Sequence, residues 1–319
     1  MREKNKILII KHGALGDFIL SLGPCASIRK HHSRDHIVLL TSSAFKDFAN
    51  DSNYFDEIII DDRPSIWNLN KMLGLCSQLR RKNFYRVYDL QTSTRSNFYY
   101  NFFRFKREPL MEWSGTALGC SHPDNYRNRN QIHTIERHKQ QLNDIGIANI
   151  KLTDLSWVKN NRNFNIQSPY IIISPGSSSH RLKKRWSEQN YAFIAKKFIN
   201  KGITPVVIGK KEDYEIAKFI CMNATGCVNL LDETTIQDIC VLSRDANLAI
   251  GNDTGPMHAI ALSGCNTLVL FSNDSNPIRC APRTTNKRKI IKIIKHDDLR
   301  KLSKETVVNV LDNDFGYNL

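Results

Sequence analysis

Short apolar runs alternate with amphipathic stretches from one end of the chain to the other. Lys6–Ile10 begins the pattern with a continuous apolar run, which suits a strand buried on both faces. Phe18, Ile19, Leu22, Cys25 and Ile28 then recur at helical spacing, predicting a helix over Asp17–Lys30. Strands are predicted at His36–Thr41, Glu57–Ile60 and Arg86–Leu90, with a helix over Leu69–Lys82 before the last of them. From about Asn97 to Asn130 the periodicity fails in an aromatic, basic stretch, which predicts a loop-rich flap. A helix over Glu136–Ile145 stops at Gly146.

After the polar stretch Lys159–Asn163 the pattern restarts. Tyr170–Ser174 reads as a strand, Pro175–Ser179 as a turn, and Ser187–Lys201 as a helix with Ser187 a good N-cap. Strands follow at Pro205–Gly209 and Cys227–Leu230, with a helix from about Lys211 between them. Thr235–Arg244 is helical, Asn247–Ile250 an apolar run, Ala259–Gly264 a small-residue helix and Thr267–Phe271 a strand. Lys289–Ile294 and a helix over Leu299–Leu311 close the chain. This alternation implies an α/β fold of parallel sheets covered on both faces. With 319 residues and a restart near residue 160, the expectation is two doubly wound domains, 1–158 and 159–319, facing a central cleft. The last helix is a candidate to pack back on the first domain.

Composition adds one extreme. Against 46 Lys and Arg stand 31 Asp and Glu, a formal charge of +15, which favours polyanionic partners: nucleic acid, an anionic membrane face or a phosphorylated substrate. The apolar run Ile7–Ile10 is cut off by Lys11, too short for a signal-peptide core, and no later run is long enough to span a bilayer. A cytoplasmic location is the expectation. Eight cysteines show no C-x-x-C pair and no His/Cys ligand pattern, which argues against a zinc site or a disulfide framework.

Three constellations could carry chemistry. Gly251-Asn252-Asp253-Thr254-Gly255-Pro256-Met257-His258 leads from an apolar run into a helix, so free backbone N–H groups and a positive helix end converge where an anion would sit. Lys11–Asp17 follows the first strand. It lacks the third glycine of the dinucleotide fingerprint, leaving Asp17 at a helix start. Asp17 could complement the helix dipole as a cap, or act as a general base on a sugar hydroxyl. Pro175–Trp186 carries Arg181, Lys183, Lys184 and Arg185, which read as a solvated basic loop, a nucleic-acid patch, or a diphosphate site. Trp186 reads as a packing residue. Asp61 and Asp62 read as a surface turn, and His31, His32 and His36 as a solvated face.

Together these pieces resemble the glycosyltransferase family 9 heptosyltransferases. The matches are K-H-G-A-L-G-D at Lys11–Asp17, D-L-Q at Asp89–Gln91, P-G-S at Pro175–Ser177, K-R-W at Lys184–Trp186 and N-D-T-G-P-M-H at Asn252–His258. The resemblance implies a GT-B fold of two Rossmann-like domains, the first holding the acceptor and the second the nucleotide sugar. It implies a metal-independent, inverting transferase with no cofactor, an ADP-linked donor, and a lipopolysaccharide precursor at the inner membrane face as acceptor. Nucleic acid is not an expected partner on that reading, and peripheral membrane attachment is. By the same likeness Asp17 is the base and Lys184 steadies the leaving diphosphate. Ser177, Asp253, Thr254, Gly255 and His258 hold the donor, Glu212 or Asp213 meets its ribose, and Gly13, Gly16, Asp89, Gln91 and Arg95 lie on the acceptor side. His12, and Ser272–Pro277 after Phe271, depart from the family pattern, and the second of these, near the donor, makes a different nucleotide sugar the alternative to ADP-heptose. The competing classes are a basic nucleotide- or nucleic-acid-binding protein without catalysis, and a degenerate transferase.

Overall fold

The structure is a computed structural model that describes residues 5–63, 68–104, 111–177 and 180–319. Ser178 and Ser179 of the predicted turn lie outside the described residues, as do residues 105–110 of the predicted flap. The chain divides into two compact units, Met1–Thr153 and Asp154–Leu319.

The first unit runs β1 (Lys6–Ile10), α1 (Leu15–His31), β2 (His36–Thr41), α2 (Lys46–Asp51), β3 (Glu57–Ile60), α3 (Leu69–Arg81), β4 (Arg86–Asp89), α4 (Thr94–Arg104), β5 (Glu112–Gly115), β6 (His122–Pro123) and α5 (Thr134–Asn143). Its strands form one parallel sheet in the order β3-β2-β1-β4-β5-β6. Ile7, Leu8, Ile9 and Ile10 are each fully buried, which is why the run is apolar on both faces. Each such side chain contributes roughly 2 kcal/mol on burial.

The second unit runs β7 (Tyr170–Ser174), α6 (Glu188–Asn200), β8 (Thr204–Gly209), α7 (Tyr214–Asn223), β9 (Val228–Leu231), α8 (Ile236–Asp245), β10 (Leu248–Asn252), α9 (Gly255–Leu262), β11 (Thr267–Phe271), α10 (Pro277–Cys280), β12 (Ile291–Lys295) and α11 (Lys304–Phe315). Its order, β12-β11-β10-β7-β8-β9, is again all parallel. Val307 and Leu311 of α11 share a core cluster with Ile194 and Phe198 of α6, so the last helix packs within its own unit. Both units show the doubly wound order in which chain direction across the sheet reverses between two central strands, β1 and β4 in one, β7 and β10 in the other. Ligands of such sheets bind beyond the carboxyl ends of the strands at that reversal. The functional loops named from sequence leave those four strand ends.

The predicted flap is the main departure. Residues 97–104 belong to α4, and 112–115 and 122–123 are sheet strands. Tyr99, Tyr100 and Phe103 pack inward with Trp113, one face of a helix whose periodicity was masked by Arg95 and Arg104 and by exposed Phe98. Two polar readings also change. Asp61 is buried, so the Asp61–Asp62 pair is not a surface turn. His32 is buried as well, bonded to Asp35 at 2.8 Å and to the Tyr88 hydroxyl at 2.7 Å, so the histidines after α1 are not one solvated face.

Candidate functional site

In the second unit, β7 and β10 end side by side, and the loops that leave them are stitched together by Asn252. Its amide donates to the Pro175 carbonyl at 2.6 Å, and its oxygen accepts from the Tyr191 hydroxyl at 2.9 Å and the Trp186 N–H at 3.3 Å. Trp186 is buried edge-on against Tyr191 at 4.8 Å, with its indole N–H on the Leu302 carbonyl. It packs, as the sequence suggested, and in doing so it aims the basic loop. Of that loop Arg181, Leu182 and Lys183 face solvent while Lys184 is buried. Lys184 Nζ donates to Asp253 Oδ2 at 2.7 Å. Ser275 donates to the same oxygen at 2.6 Å. This serine lies in the segment that departs from the family pattern, and nothing in its spacing singles it out.

Thr254 stands at the N-cap position of α9 with extended backbone, its hydroxyl turned to the Asn252 carbonyl at 3.2 Å. Pro256 occupies the first turn, which carries no acidic side chain, and His258 is buried one residue further on from Met257. The helix end beside Lys184 and Asp253 is therefore a positive, backbone-lined surface. Ser177 is fixed by Arg185, which donates to its carbonyl at 2.9 Å and its hydroxyl at 3.3 Å. Glu212 faces solvent, whereas Asp213 is buried against the turn. Asp213 accepts from the Lys210 N–H at 3.2 Å, and burial raises its pKa against the pull of hydrogen bonding and Arg185. A Cβ at Gly176 would come within 2.2 Å of that carboxylate, so only glycine lets the two approach.

In the first unit, the loop between β1 and α1 is fastened from four sides. The buried Lys11 Nζ donates to the Leu90 carbonyl at 3.1 Å. The His12 N–H reaches Gln91 Oε1 at 3.0 Å, while Gln91 Nε2 donates to the Gly13 carbonyl at 3.1 Å. Ser42 donates to the His12 carbonyl at 2.6 Å. The His12 ring lies 2.9 Å from Asp61, whose carboxylate also takes the Arg95 guanidinium at 2.8 and 2.9 Å and the Tyr99 hydroxyl. Burial raises the Asp61 pKa, but hydrogen bonds from His12, Arg95 and Tyr99 outweigh it and hold the carboxyl below the usual range.

Asp17 comes next, in the first turn of α1 and half-buried. The N-cap is Ala14, and no side chain caps the helix. Asp17 has no hydrogen-bond or ion-pair partner among the described residues, so its carboxylate is open to a ligand. Burial lowers the Lys11 pKa, and Asp17 is the strongest charge acting against that. The other acceptor-side residues divide. Gly16 is buried in the same turn, and Gln91 clamps the loop. Asp89 is fully buried, accepting from the Gln91 and Thr92 N–H groups, with burial pushing it up to about 6. Arg95 is engaged with Asp61. These last three brace the Asp17 loop from behind. Asp61 and His12 complete that brace, and sequence reasoning missed them because partners 49 positions apart leave no periodic signal.

Two buried imidazoles in this unit set an acid limit. Burial, reinforced by Lys11 and Arg137, drives His138 well below 6.5, and burial lowers His32 too, against the pull of Asp35. Both rings resist protonation when folded, so below about pH 6.5 the unfolded chain binds more protons and stability is lost as pH falls. Asp89 opposes this only between its ordinary value of 3.8 and about 6. Denaturant midpoints measured at pH 7 and pH 5.5 should drop accordingly. His138→Gln should flatten the slope by up to ~1.4 kcal/mol per pH unit; an unchanged slope would rule His138 out.

The sequence profile of glycosyltransferase family 9 (heptosyltransferase) matches residues 72–309. The chain is 29% identical over 133 residues to the lipopolysaccharide heptosyltransferase 2 of Salmonella typhimurium, an alignment covering 40% of this chain but 37% of that relative's length. Among solved structures, a glycosyltransferase family 9 protein from Veillonella parvula superposes with a TM-score of 0.78 at 17% identity, covering 98% of this chain and 97% of that one. The ADP-heptose lipopolysaccharide heptosyltransferase II of E. coli gives 0.75 at 21% identity, covering 96% and 97%. At these identities the structures speak for the fold, which is the GT-B arrangement of two Rossmann-like sheets.

Proposed function

The chain belongs to glycosyltransferase family 9 (heptosyltransferase), and from that premise we propose that it transfers a sugar, a heptose carried by ADP, onto a lipopolysaccharide core precursor, with inversion and without a metal. The observation that carries this reading is the Lys184–Asp253–Ser275 cluster at the mouth of α9. Lys184 has three N–H donors and spends one on Asp253, which leaves two for a diphosphate. Asp253 uses Oδ2 for both its partners, which leaves Oδ1 to accept from a donor sugar hydroxyl.

In the proposed reaction Asp17 removes the proton from the acceptor hydroxyl as that oxygen bonds to the anomeric carbon. The bond from that carbon to the diphosphate breaks on the opposite face, and the configuration inverts. Negative charge growing on the leaving ADP is met by Lys184 and by the N–H groups of Thr254 and Gly255 at the helix end, a fixed electrostatic sink of the kind a metal supplies elsewhere. The excess of cations gives the chain an attraction to a phosphorylated, membrane-held acceptor, about 1 kcal/mol for each Lys or Arg close to an anionic surface.

Thermal shift against ADP, UDP, GDP and CDP, followed by ADP-heptose, tests the donor. Selective stabilisation by ADP and ADP-heptose is expected, and equal shifts for all four nucleotides would defeat the donor assignment. Lys184→Ala should weaken ADP binding about tenfold to a hundredfold, the worth of one charge-assisted contact of roughly 1.5–3 kcal/mol. An unchanged ADP titration would remove Lys184 from the diphosphate site.

A further inference from the structure

We infer that Cys221 and Cys227 form a reactive dithiol, a modification site in which a small disulfide oxidant converts the pair to an intramolecular disulfide. Cys221 lies near the end of α7 and Cys227 just before β9. The intervening turn reverses the chain at Gly226, whose φ of +99° suits glycine. The two sulfurs stand 3.4 Å apart and need close by only about 1.4 Å to reach bonding distance. Both residues are partly exposed, unlike the buried Cys25, Cys76, Cys120, Cys240 and Cys265.

Reactivity follows from the same contact. Once Cys221 has lost its proton the Cys227 thiol donates to it, which lowers the Cys221 pKa and favours its thiolate while the same contact raises Cys227. Burial instead pushes Cys25 and Cys265 up to about 12 and Cys76 and Cys240 up to about 11. With glutathione disulfide as oxidant, the Cys221 thiolate attacks one sulfur and expels a glutathione thiolate, which takes up a proton. Cys227 then attacks the Cys221 sulfur of the mixed disulfide, its thiol proton leaving with the second glutathione. Two protein thiols are oxidised and one disulfide is reduced to two thiols. The product ties the end of α7 to the start of β9, a tether distinct from the Lys184 cluster.

Met222 lies between the two cysteines and makes the test direct. The full chain carrying Cys280→Ser, which removes the remaining partly exposed thiol, is incubated with glutathione disulfide and cleaved at methionine with cyanogen bromide. The fragments on either side of Met222 should remain joined until a reductant is added, with two glutathiones released per chain and none retained. The melting temperature should rise by on the order of 5 °C. Cys221→Ser and Cys227→Ser should each abolish the link. A stable mixed disulfide at either cysteine, fragments that separate without reductant, or a link that survives in the Cys221→Ser chain would overturn the inference. None of these readouts depends on sugar transfer.

Discussion

Asp17→Asn is expected to lower turnover by on the order of 10³-fold, the middle of the range for losing a positioned general base, while ADP titrates as in the parent. The substitution keeps the size and shape of the side chain and removes only its basicity. Its structural cost is small because Asp17 holds no hydrogen bond or ion pair among the described residues and does not cap α1. What folding loses is the interaction of a negative charge with the first turn, about 0.3–1 kcal/mol, together with the attraction between that charge and the Lys11 ammonium. Activity and stability should therefore separate: a melt within a few degrees of the parent and almost no product from ADP-heptose. Retention of a tenth or more of the turnover would refute the assignment of Asp17 as base. Loss of ADP binding together with turnover would instead make Asp17 a structural residue.

The legible part of the fold is what repeats. Ile7–Ile10, His36–Thr41, Tyr170–Ser174 and Thr267–Phe271 were all recognisable as strands because a parallel strand covered on both faces must be apolar throughout. The strand order was not legible, since pairing depends on crossovers that the residues do not mark. Nor was α4, where three inward aromatics share a short helix with basic residues and its periodicity is diluted. In the candidate site, motif residues at strand ends could be named because small and charged residues there interrupt the apolar pattern: Asp17, Lys184, Asp253 and Thr254. Their chemical division of labour could not. The family resemblance put Asp89 and Arg95 on the acceptor side, and the hydrogen bonds of both are to the protein's own loops. Ser275 and Asp61, which orient a lysine-bound carboxylate and the β1–α1 loop, depend on partners 22 and up to 49 residues away. Asp61 in particular looked solvated because Asp62 and Arg63 beside it are.

Asp61→Ala is expected to destabilise the first unit by about 3–5 kcal/mol, the usual cost of leaving a buried counter-charge without its partner. The carboxylate is the common acceptor for the His12 ring, both ends of the Arg95 guanidinium and the Tyr99 hydroxyl. Removing it strands a cation that is largely buried and two polar groups that are almost wholly so. In a unit of this size such a loss lowers the melting temperature by roughly 10 °C. Asp61→Asn preserves the shape and can still accept one or two of these bonds, so it should fall between the parent and the alanine variant. Function should follow through the loop. His12 is one of the anchors that fix the chain just before Asp17, so its release should lower kcat well below the melting temperature, with ADP affinity unchanged because no donor-binding residue is touched. Asp62→Ala is the matched control, an exposed carboxylate one position along whose hydrogen bonds come from Ser43, its N–H at 2.8 Å and its side chain, and its melt should stay near the parent's. If Asp61→Ala and Asp62→Ala melt alike, the buried ion-pair network does not hold the loop, and the positioning of Asp17 must come from Gln91, Ser42 and Lys11 alone.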